Sequence, residues 1–378
     1  MKILFFQPTL TITGGIDRWS ATLAHELVDQ AEIAFLTCYP SDERIPRSET
    51  ITYASLHESP SDSPIEKLQK MYGRIKGLRR NVRLHKPDVV IASADGVCVA
   101  TLIAKLMMKR PPKVVCVIHQ ELAHVPFYFR YPLFWLLRYA NAIVGVSAGI
   151  AGDVQDLIPR ARCHIIYNAI SVDSMERKAE KSISDEEEDF YKGHSVFAAV
   201  GRLEKVKGFD RLLKAFAKAH ENNPSLRLII LGEGSERNTL ARLIETLHLS
   251  KIAILAGEKE NIAPYMARAQ ATLSTSHFES LGISLVESLA CKTPIIALDC
   301  QFGPREILQI PGHIHEIKHT PLGVLIPYRD EPHMINDLAD TLQHFSKNEF
   351  AASDLTHRAN DFDSKTIGAQ WMNLLTSL

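Results

Sequence analysis

The sequence predicts an α/β protein made of two parallel-sheet domains. Three observations carry this expectation. Short apolar runs alternate with helical stretches through the first half, the alternation restarts after a charged interruption, and 378 residues are too many for one ordinary domain. Such alternation builds parallel strands joined by crossover helices, with each strand covered on both faces.

Taken in order, the first domain opens with a strand at Ile3–Phe6, a polar loop ending in Gly14-Gly15, and a helix over Asp17–Val28. Further strands are expected at Ile33–Thr37, Val89–Ala92, Val114–Ile118, Ala142–Val146 and His164–Tyr167, each bounded by turn residues. Residues 174–193 then break the pattern with a dense charge run, S-M-E-R-K-A-E-K-S-I-S-D-E-E-E-D-F-Y-K-G, which reads as an exposed linker or an acidic helix. The second domain restarts with strands at Val196–Val200, Leu226–Leu231, Ile252–Ala256, Ala271–Ser274, Pro294–Ala297 and Gly323–Ile326. Its helices fit Phe209–His220, Glu236–Leu247, Ile262–Ala269 and Gly282–Ala290. The expected division is 1–173, a linker at 174–193, and 194–355, with a helix over 356–378 packing back on the first domain.

Composition narrows the class. A chain that is 46% hydrophobic and 23% charged is globular, which excludes disordered and fibrous readings. The net charge of −1 is unevenly shared: residues 1–170 hold 20 Lys+Arg against 15 Asp+Glu, so the front half is basic and suited to an anionic partner. Cys38, Cys98, Cys116, Cys163, Cys291 and Cys300 are scattered without C-x-x-C spacing, which fits reduced thiols in the cytoplasm. M-K-I-L-F-F-Q-P holds too short an apolar run for a signal peptide, and no window reaches the length of a spanning helix. No nucleic-acid partner is expected.

The second half carries the residues from which chemistry can be read. In G201-R-L-E-K-V-K-G-F-D210, Arg202 and Lys207 sit between a strand and a helix, flanked by glycines. Arg offers a planar fork, Lys a point charge and the helix start its dipole, which together suit a diphosphate. Taken alone, the segment reads equally as a solvated basic loop. In S276-H-F-E-S-L-G-I-S-L-V-E-S-L-A-C-K-T-P-I-I-A297, Glu279 precedes a Ser280-Leu281-Gly282 turn, and Glu287 lies along the following helix. Backbone N–H groups at 281–283 would point at an anion. At 1.5 Å per residue Glu287 falls about 7–8 Å further on, which suits an extended ligand with hydroxyls on both sides of a diphosphate. Singly, either glutamate reads as a surface acid.

Together, the two glutamates within S-x-F-E-S-L-G-x-x-x-x-E-S-L-A-C-x-T-P-I-I-A resemble the signature of the retaining group-1 glycosyltransferases, enzymes of the two-domain GT-B fold. G-R-L-x-x-x-K-G-F-D, L231-G-E-G, Y167-N-A-I and F302-G-P-R-E-I-L308 extend the resemblance over nearly all of the second domain. The first domain matches through Gly14-Gly15, through His119 after a strand, and through its alternation.

The resemblance implies two Rossmann-like domains facing each other across a cleft. It implies transfer of a hexose or N-acetylhexosamine from a nucleotide-diphosphate sugar, a UDP-sugar ahead of a GDP-sugar. The acceptor would be a growing lipid-linked glycan for surface polysaccharide or glycoprotein assembly. Arg202 and Lys207 would neutralise the donor diphosphate, and Glu287 would accept from the ribose hydroxyls. Glu279, with amides near Leu281, Gly282 and Ile283, would hold the transferred sugar. Gly15 would let the first domain's backbone approach the diphosphate, and His119 would face the reacting sugar. A lone His after a buried strand is usually structural, so the resemblance alone assigns it. The departures, S-L-G in place of E-G-F-G and Cys291-Lys292 before Thr-Pro, bear on donor choice.

No D-x-D pair with flanking strands appears, and His313, His315 and His319 read as a polar loop, so no metal or other cofactor is expected. The competing readings are a nucleotide-sugar epimerase that hydrolyses its donor and a catalytically silent partner of another transferase. A dinucleotide oxidoreductase is disfavoured because L231-G-E-G-S-E lacks the third glycine.

A last feature lies at 65–86, where eight Lys/Arg face one acid, Glu66, and Ile65, Leu68, Met71, Tyr72, Ile75, Leu78 and Val82 recur at helical spacing. With the seven aromatics of 124–139, it suggests a basic face (Arg74, Lys76, Arg79, Arg80, Arg83) that meets the acceptor or an anionic membrane from the cytoplasmic side. The bland alternative is that both stretches pack on the domain's own sheet.

Overall fold

The computed structural model describes residues 1–11, 15–41, 48–59, 63–125, 127–159, 161 and 163–378. It divides into two compact units, Met1–Ala169 joined by Ser364–Leu378, and Ile170–Asp363.

The first unit runs β1 (Lys2–Gln7), α1 (Gly15–Leu27), β2 (Glu32–Thr37), β3 (Ile51–Ser55), α2 (Pro64–His85) and β4 (Val89–Ser93). It continues through α3 (Asp95–Leu106), β5 (Lys113–Ile118), α4 (Phe127–Leu137), β6 (Ala142–Gly145), α5 (Ala148–Leu157) and β7 (Cys163–Ile165). The sheet order is β3-β2-β1-β4-β5-β6-β7, all parallel. Register brings Phe5, Phe35 and Tyr53 side by side, and their rings stack at 4.9 and 5.7 Å across three strands. The right-handed rule for crossovers places α1 on the face opposite α2, α3 and α4, and these three pack side by side.

The second unit begins with α6 (Val172–Ala179) and α7 (Asp185–Tyr191) and enters its sheet at β8 (Ser195–Val200). There follow α8 (Phe209–Asn222), β9 (Leu226–Leu231), α9 (Arg237–Thr246), β10 (Ala253–Gly257), α10 (Ala263–Arg268), β11 (Thr272–Ser274) and α11 (Ile283–Ala290). The unit closes with β12 (Ile295–Leu298), α12 (Pro304–Ile307), β13 (Lys318–Thr320), β14 (Gly323–Ile326), α13 (Glu331–His344) and α14 (Ala352–Asn360). The order β10-β9-β8-β11-β12-β14-β13 repeats the plan of the first sheet, with an antiparallel edge at β13. Alternate residues of β8 serve opposite cores: Phe197 and Ala199 face α8 and α13, while Val196 and Ala198 pack with Tyr265 of α10.

Two expectations are corrected here. The segment read as a linker, 174–193, is folded onto the second unit. Ser184 caps α7 through a reciprocal bond with Glu187, and Glu187 also accepts from Lys259 Nζ at 2.7 Å and Tyr265 Oη at 2.9 Å. These donors hold the Glu187 carboxyl down to about 2, against the effect of its burial, so a charge run that looked solvated is tied into a network. The returning tail is also shorter than 356–378. α14 stays with the second unit, and only α15 (Ser364–Ser377) packs on α1 of the first.

Candidate functional site

In both sheets the strand order reverses beside the first strand, between β1 and β4 and again between β8 and β11. Loops leaving the carboxyl ends of such neighbours diverge and leave a recess, the usual ligand position in open α/β sheets. In the second unit the loops there are G201-R-L, L231-G-E-G and S276-H-F-E, and glycines decide how closely they approach. A Cβ on Gly232 would stand 2.0 Å from the Gly201 carbonyl oxygen, and one on Gly234 2.4 Å from that of Leu203. Leu203 N donates to Glu233 O at 2.9 Å and Glu236 N to Leu203 O at 2.8 Å, so the first two loops are laced together.

Gly208 does the same between α8 and β11. It holds φ +62° at the α8 N-cap, and its missing Cβ leaves room for Thr275 O, which would otherwise lie 2.3 Å away. Thr275 Oγ1 donates back to Lys207 O at 3.2 Å and Gly208 O at 3.0 Å. This packing delivers Lys207 to Glu279. Lys207 Nζ lies 2.6 Å from Glu279 Oε1, and Ser276 Oγ donates to the same oxygen at 2.6 Å. Both partners of the pair are largely buried, at 21% and 13% exposure, whereas Arg202 is 73% exposed and pairs with Glu204 at 2.6 Å. The structure therefore joins Lys207, Ser276 and Glu279 and leaves Arg202 free of that group. An ammonium has three N–H donors, so Lys207 can hold Glu279 and still offer protons to an anion.

The remaining donor-side positions are Leu281, Gly282, Ile283 and Glu287. Leu281 is buried, and the loop bearing Gly303 presses on it so closely that a Cβ there would lie 2.2 Å from Leu281 O. Gly282, at φ +91°, is the N-cap of α11, which Ile283 begins. Glu287 is 5% exposed and stands among the buried residues of α11. That is no ordinary surface acid, because a carboxylate is withdrawn from water only where other groups answer its charge.

Sequence reasoning passed over a supporting set. Arg211, 3% exposed on α8, donates through Nη2 to His277 Nδ1 at 2.7 Å, and the Tyr328 hydroxyl lies 2.8 Å from the same nitrogen. His277 N donates to Val206 O at 2.8 Å, tying the Glu279 loop to the Lys207 loop a second time. Burial and the adjacent Arg211 push the His277 pKa down, so the imidazole stays neutral beside a guanidinium. Only the position of His277, two residues before Glu279, could have hinted at it.

In the first unit, Asp17 organises the loop after β1. It is 3% exposed and accepts from Thr9 Oγ1 at 2.9 Å, Thr11 N at 2.8 Å and Thr11 Oγ1 at 2.6 Å. Gly15 is exposed, with nothing within 4 Å of where its Cβ would be; Gly14 lies outside the described residues. His119 follows β5 and meets the Trp19 ring edge-on at 5.1 Å. Burial pushes its pKa down to about 3, leaving a neutral imidazole at physiological pH.

Of the basic positions on α2, Arg74 forms a two-pronged ion pair with Glu58, at 2.7 and 3.0 Å, with both side chains largely buried. It is thus turned inward, and a fixed carboxylate takes the place of an outside anion. Lys76, Arg80 and Arg83 are exposed, and Arg79 is half-buried. Leu78 and Val82 of the apolar stripe are core, while Tyr72 is 67% exposed; the side chains of Ile65 and Leu68 lie outside the description. Among the described residues no three His, Cys, Asp or Glu converge as a metal site, and no helix is long and apolar enough to cross a membrane.

Two units, each built on a seven-stranded sheet of the same strand order and parallel but for the edge strand β13, are the architecture of the GT-B fold. The chain belongs to the group-1 glycosyltransferases. The model described as "Glycosyl transferases group 1" matches residues 180–355, and that of "Glycosyltransferase Family 4" matches 13–174. An uncharacterized glycosyltransferase of Methanocaldococcus jannaschii is 24% identical over 402 residues, covering 97% of each chain. The Campylobacter jejuni GalNAc-alpha-(1->4)-GalNAc-alpha-(1->3)-diNAcBac-PP-undecaprenol alpha-1,4-N-acetyl-D-galactosaminyltransferase is 23% identical over 385 residues, covering 100% of this chain and 99% of its own. Among solved structures, Anabaena HepE in complex with UDP and glucose matches with a TM-score of 0.79 at 20% identity, covering 100% of both chains. Sucrose-phosphate synthase from Thermosynechococcus elongatus matches at 0.80 and 17%, covering 100% and 98%. These last two likenesses concern the fold.

Proposed function

We propose that the chain is a retaining, metal-independent glycosyltransferase that moves a hexose or N-acetylhexosamine from a nucleotide-diphosphate sugar to a lipid-linked glycan on the cytoplasmic face of a membrane. A UDP-sugar is the favoured donor, in keeping with the UDP in the HepE complex, and the glycan serves surface polysaccharide or glycoprotein assembly. The undecaprenol-linked substrate in the name of the Campylobacter relative supports the acceptor class. The observation that carries the reading is the Lys207–Glu279 pair at 2.6 Å, between the start of α8 and the loop leading into α11.

In this reading the second unit binds the donor and the first unit the acceptor. Lys207 and Arg202, with the amides of Leu281, Gly282 and Ile283, stabilise the charge that grows on the diphosphate as its bond to the anomeric carbon breaks. Glu287 receives the ribose hydroxyls and Glu279 those of the transferred sugar. The acceptor hydroxyl bonds to the same face of the anomeric carbon and passes its proton to the departing phosphate oxygen. His119, neutral at this pKa, orients a sugar hydroxyl and takes no proton. Gly15 leaves its backbone open to a phosphate.

The test is a screen of UDP- and GDP-sugars for protection against thermal unfolding, followed by NMR assignment of the product anomer in the presence of EDTA. A UDP-sugar that protects, with retention in the product and full activity under chelation, is expected. Inversion, or activity lost to EDTA and restored by Mg²⁺, overturns the mechanism. Donor hydrolysis undiminished by acceptor would favour the epimerase reading.

A further inference from the structure

We infer that the outer face of α4 is an interfacial anchor that docks the first unit on an anionic lipid bilayer. The inference deepens the reading above, since a lipid-linked acceptor is what gives such docking a purpose, but its observations are independent of that reading. Tyr131, Trp135 and Tyr139 are 67%, 61% and 39% exposed. Tyr131 and Trp135, four apart on the helix, fall within about 40° of one another at 100° per residue, and Tyr139 lies in the turn that follows α4. Leu133 and Leu137, on the opposite side, are each 1% exposed, so the helix has satisfied its core with one face and carries two large aromatics on the other, with Tyr139 just beyond its end. Soluble surfaces seldom leave such a stripe uncovered.

The charges that accompany the stripe decide what covers it. Arg138 sits 4.2 Å over the Trp135 ring and Arg130 5.7 Å from that of Tyr131. An aromatic ring with a guanidinium on its face matches a bilayer interface, where the ring lies at the headgroup level and the cation meets phosphate. The adjoining helix α3 ends in exposed Leu106 and Met107, 54% and 53%, followed by exposed Lys109 and Arg110. From Leu122 to Gly152 the sequence contains no Asp or Glu. A second copy of the chain would set this cationic face against itself, so charge complementarity selects an anionic surface. The stripe, rather than the basic residues of α2, is the centre of the contact, because Arg74 is already committed to Glu58.

Trp135 also supplies the probe. The chain has three tryptophans, and Trp19 and Trp371 are 1% and 0% exposed, so Trp135 is the one that reports on solvent. Full-length protein titrated with vesicles of phosphatidylglycerol and phosphatidylcholine is expected to show a blue-shifted emission protected from acrylamide. Vesicles of phosphatidylcholine alone should leave it unchanged. In co-sedimentation, Tyr131→Ser with Trp135→Ser should weaken partitioning about tenfold or more, and raised salt should weaken the parent chain similarly. The same double variant should keep the parent's melting temperature, and its thermal protection by donor sugar, which reads the second unit alone. An unshifted Trp135 with anionic vesicles overturns the inference and returns the stripe to a protein partner. Undiminished binding by the double variant overturns it as well and moves the contact to α2. Loss of donor protection in both proteins would count against the proposed donor site and leave the bilayer result standing.

Discussion

At the scale of single residues, the lysine–glutamate pair is the most exposed to test. Lys207 and Ser276 both point at one oxygen of Glu279, so the carboxylate is fixed in place by side chains of the loops around it. Glu279→Ala is expected to abolish transfer while the melting temperature stays near that of the parent; near-normal turnover would remove the sugar from this segment. In the proposed mechanism Lys207→Ala takes away a cation whose value rises as the bond breaks, so kcat should fall by about 10²–10³ with a smaller change in donor KM. A raised KM at unchanged kcat would make Lys207 a ground-state contact only. His119 lends itself to a pH measurement. In the unfolded chain it takes a proton near pH 6.5, and in the folded chain only near 3, so between those values the unfolded state binds more protons. Stability of the first unit should therefore decline as pH falls from about 6.5 toward 3, and His119→Asn should flatten that decline in melting curves. The kcat profile should show no limb assignable to this imidazole.

At the scale of elements, the loops matter more than the strands they leave. Gly208 lets α8 start against the exit of β11, and Gly208→Ala meets two penalties there. The left-handed backbone costs roughly 1–2 kcal/mol for a side chain, and Thr275 O stands where the new methyl must go. The variant should melt earlier in the second unit and lose turnover out of proportion, because the displaced helix start carries Lys207 with it; a loss of stability at full turnover would separate the glycine from the site. The sequence shows these elements unevenly, for physical reasons. The buried parallel strands were legible because two-sided burial makes them continuously apolar, as at Val89–Ser93. The strand Ile51–Ser55 escaped notice because it lies at an edge and only half-buries its residues. So did Lys318–Thr320, polar at an antiparallel edge. The charge run holding the capped helix Asp185–Tyr191 reads equally as exposed linker or acidic helix because its stabilising partners, Lys259 and Tyr265, lie more than 70 residues away. The two glutamates and two cations could be found by motif and spacing, but the Arg211–His277–Tyr328 support could not, since tertiary packing alone assembles it.

On the scale of the whole molecule, the chain path sets the two units apart. The second is one continuous stretch, whereas the first is closed by α15, whose Trp371 lies 5.8 Å from Trp19. Ser364 Oγ adds a bond to Glu26 at 2.6 Å, and Gly368 lets that helix settle against the Glu26 side chain. A chain ending at Asp363 should then keep a donor-protected transition from the second unit while the first loses cooperative melting. Saturating donor at about a hundred times its Kd adds about 2.7 kcal/mol to the unit that binds it, so the two transitions can be told apart by which one moves. Retention of both would show α15 to be dispensable. The same path has a consequence for biosynthesis. Chains usually complete their amino-terminal domain first as they leave the ribosome, but here the earliest-made unit must wait, with Trp19 uncovered, until residues 364–378 have emerged. The later-made unit is finished before it, so a translation stop late in the message would release the second unit intact and leave the first without a lid for its core.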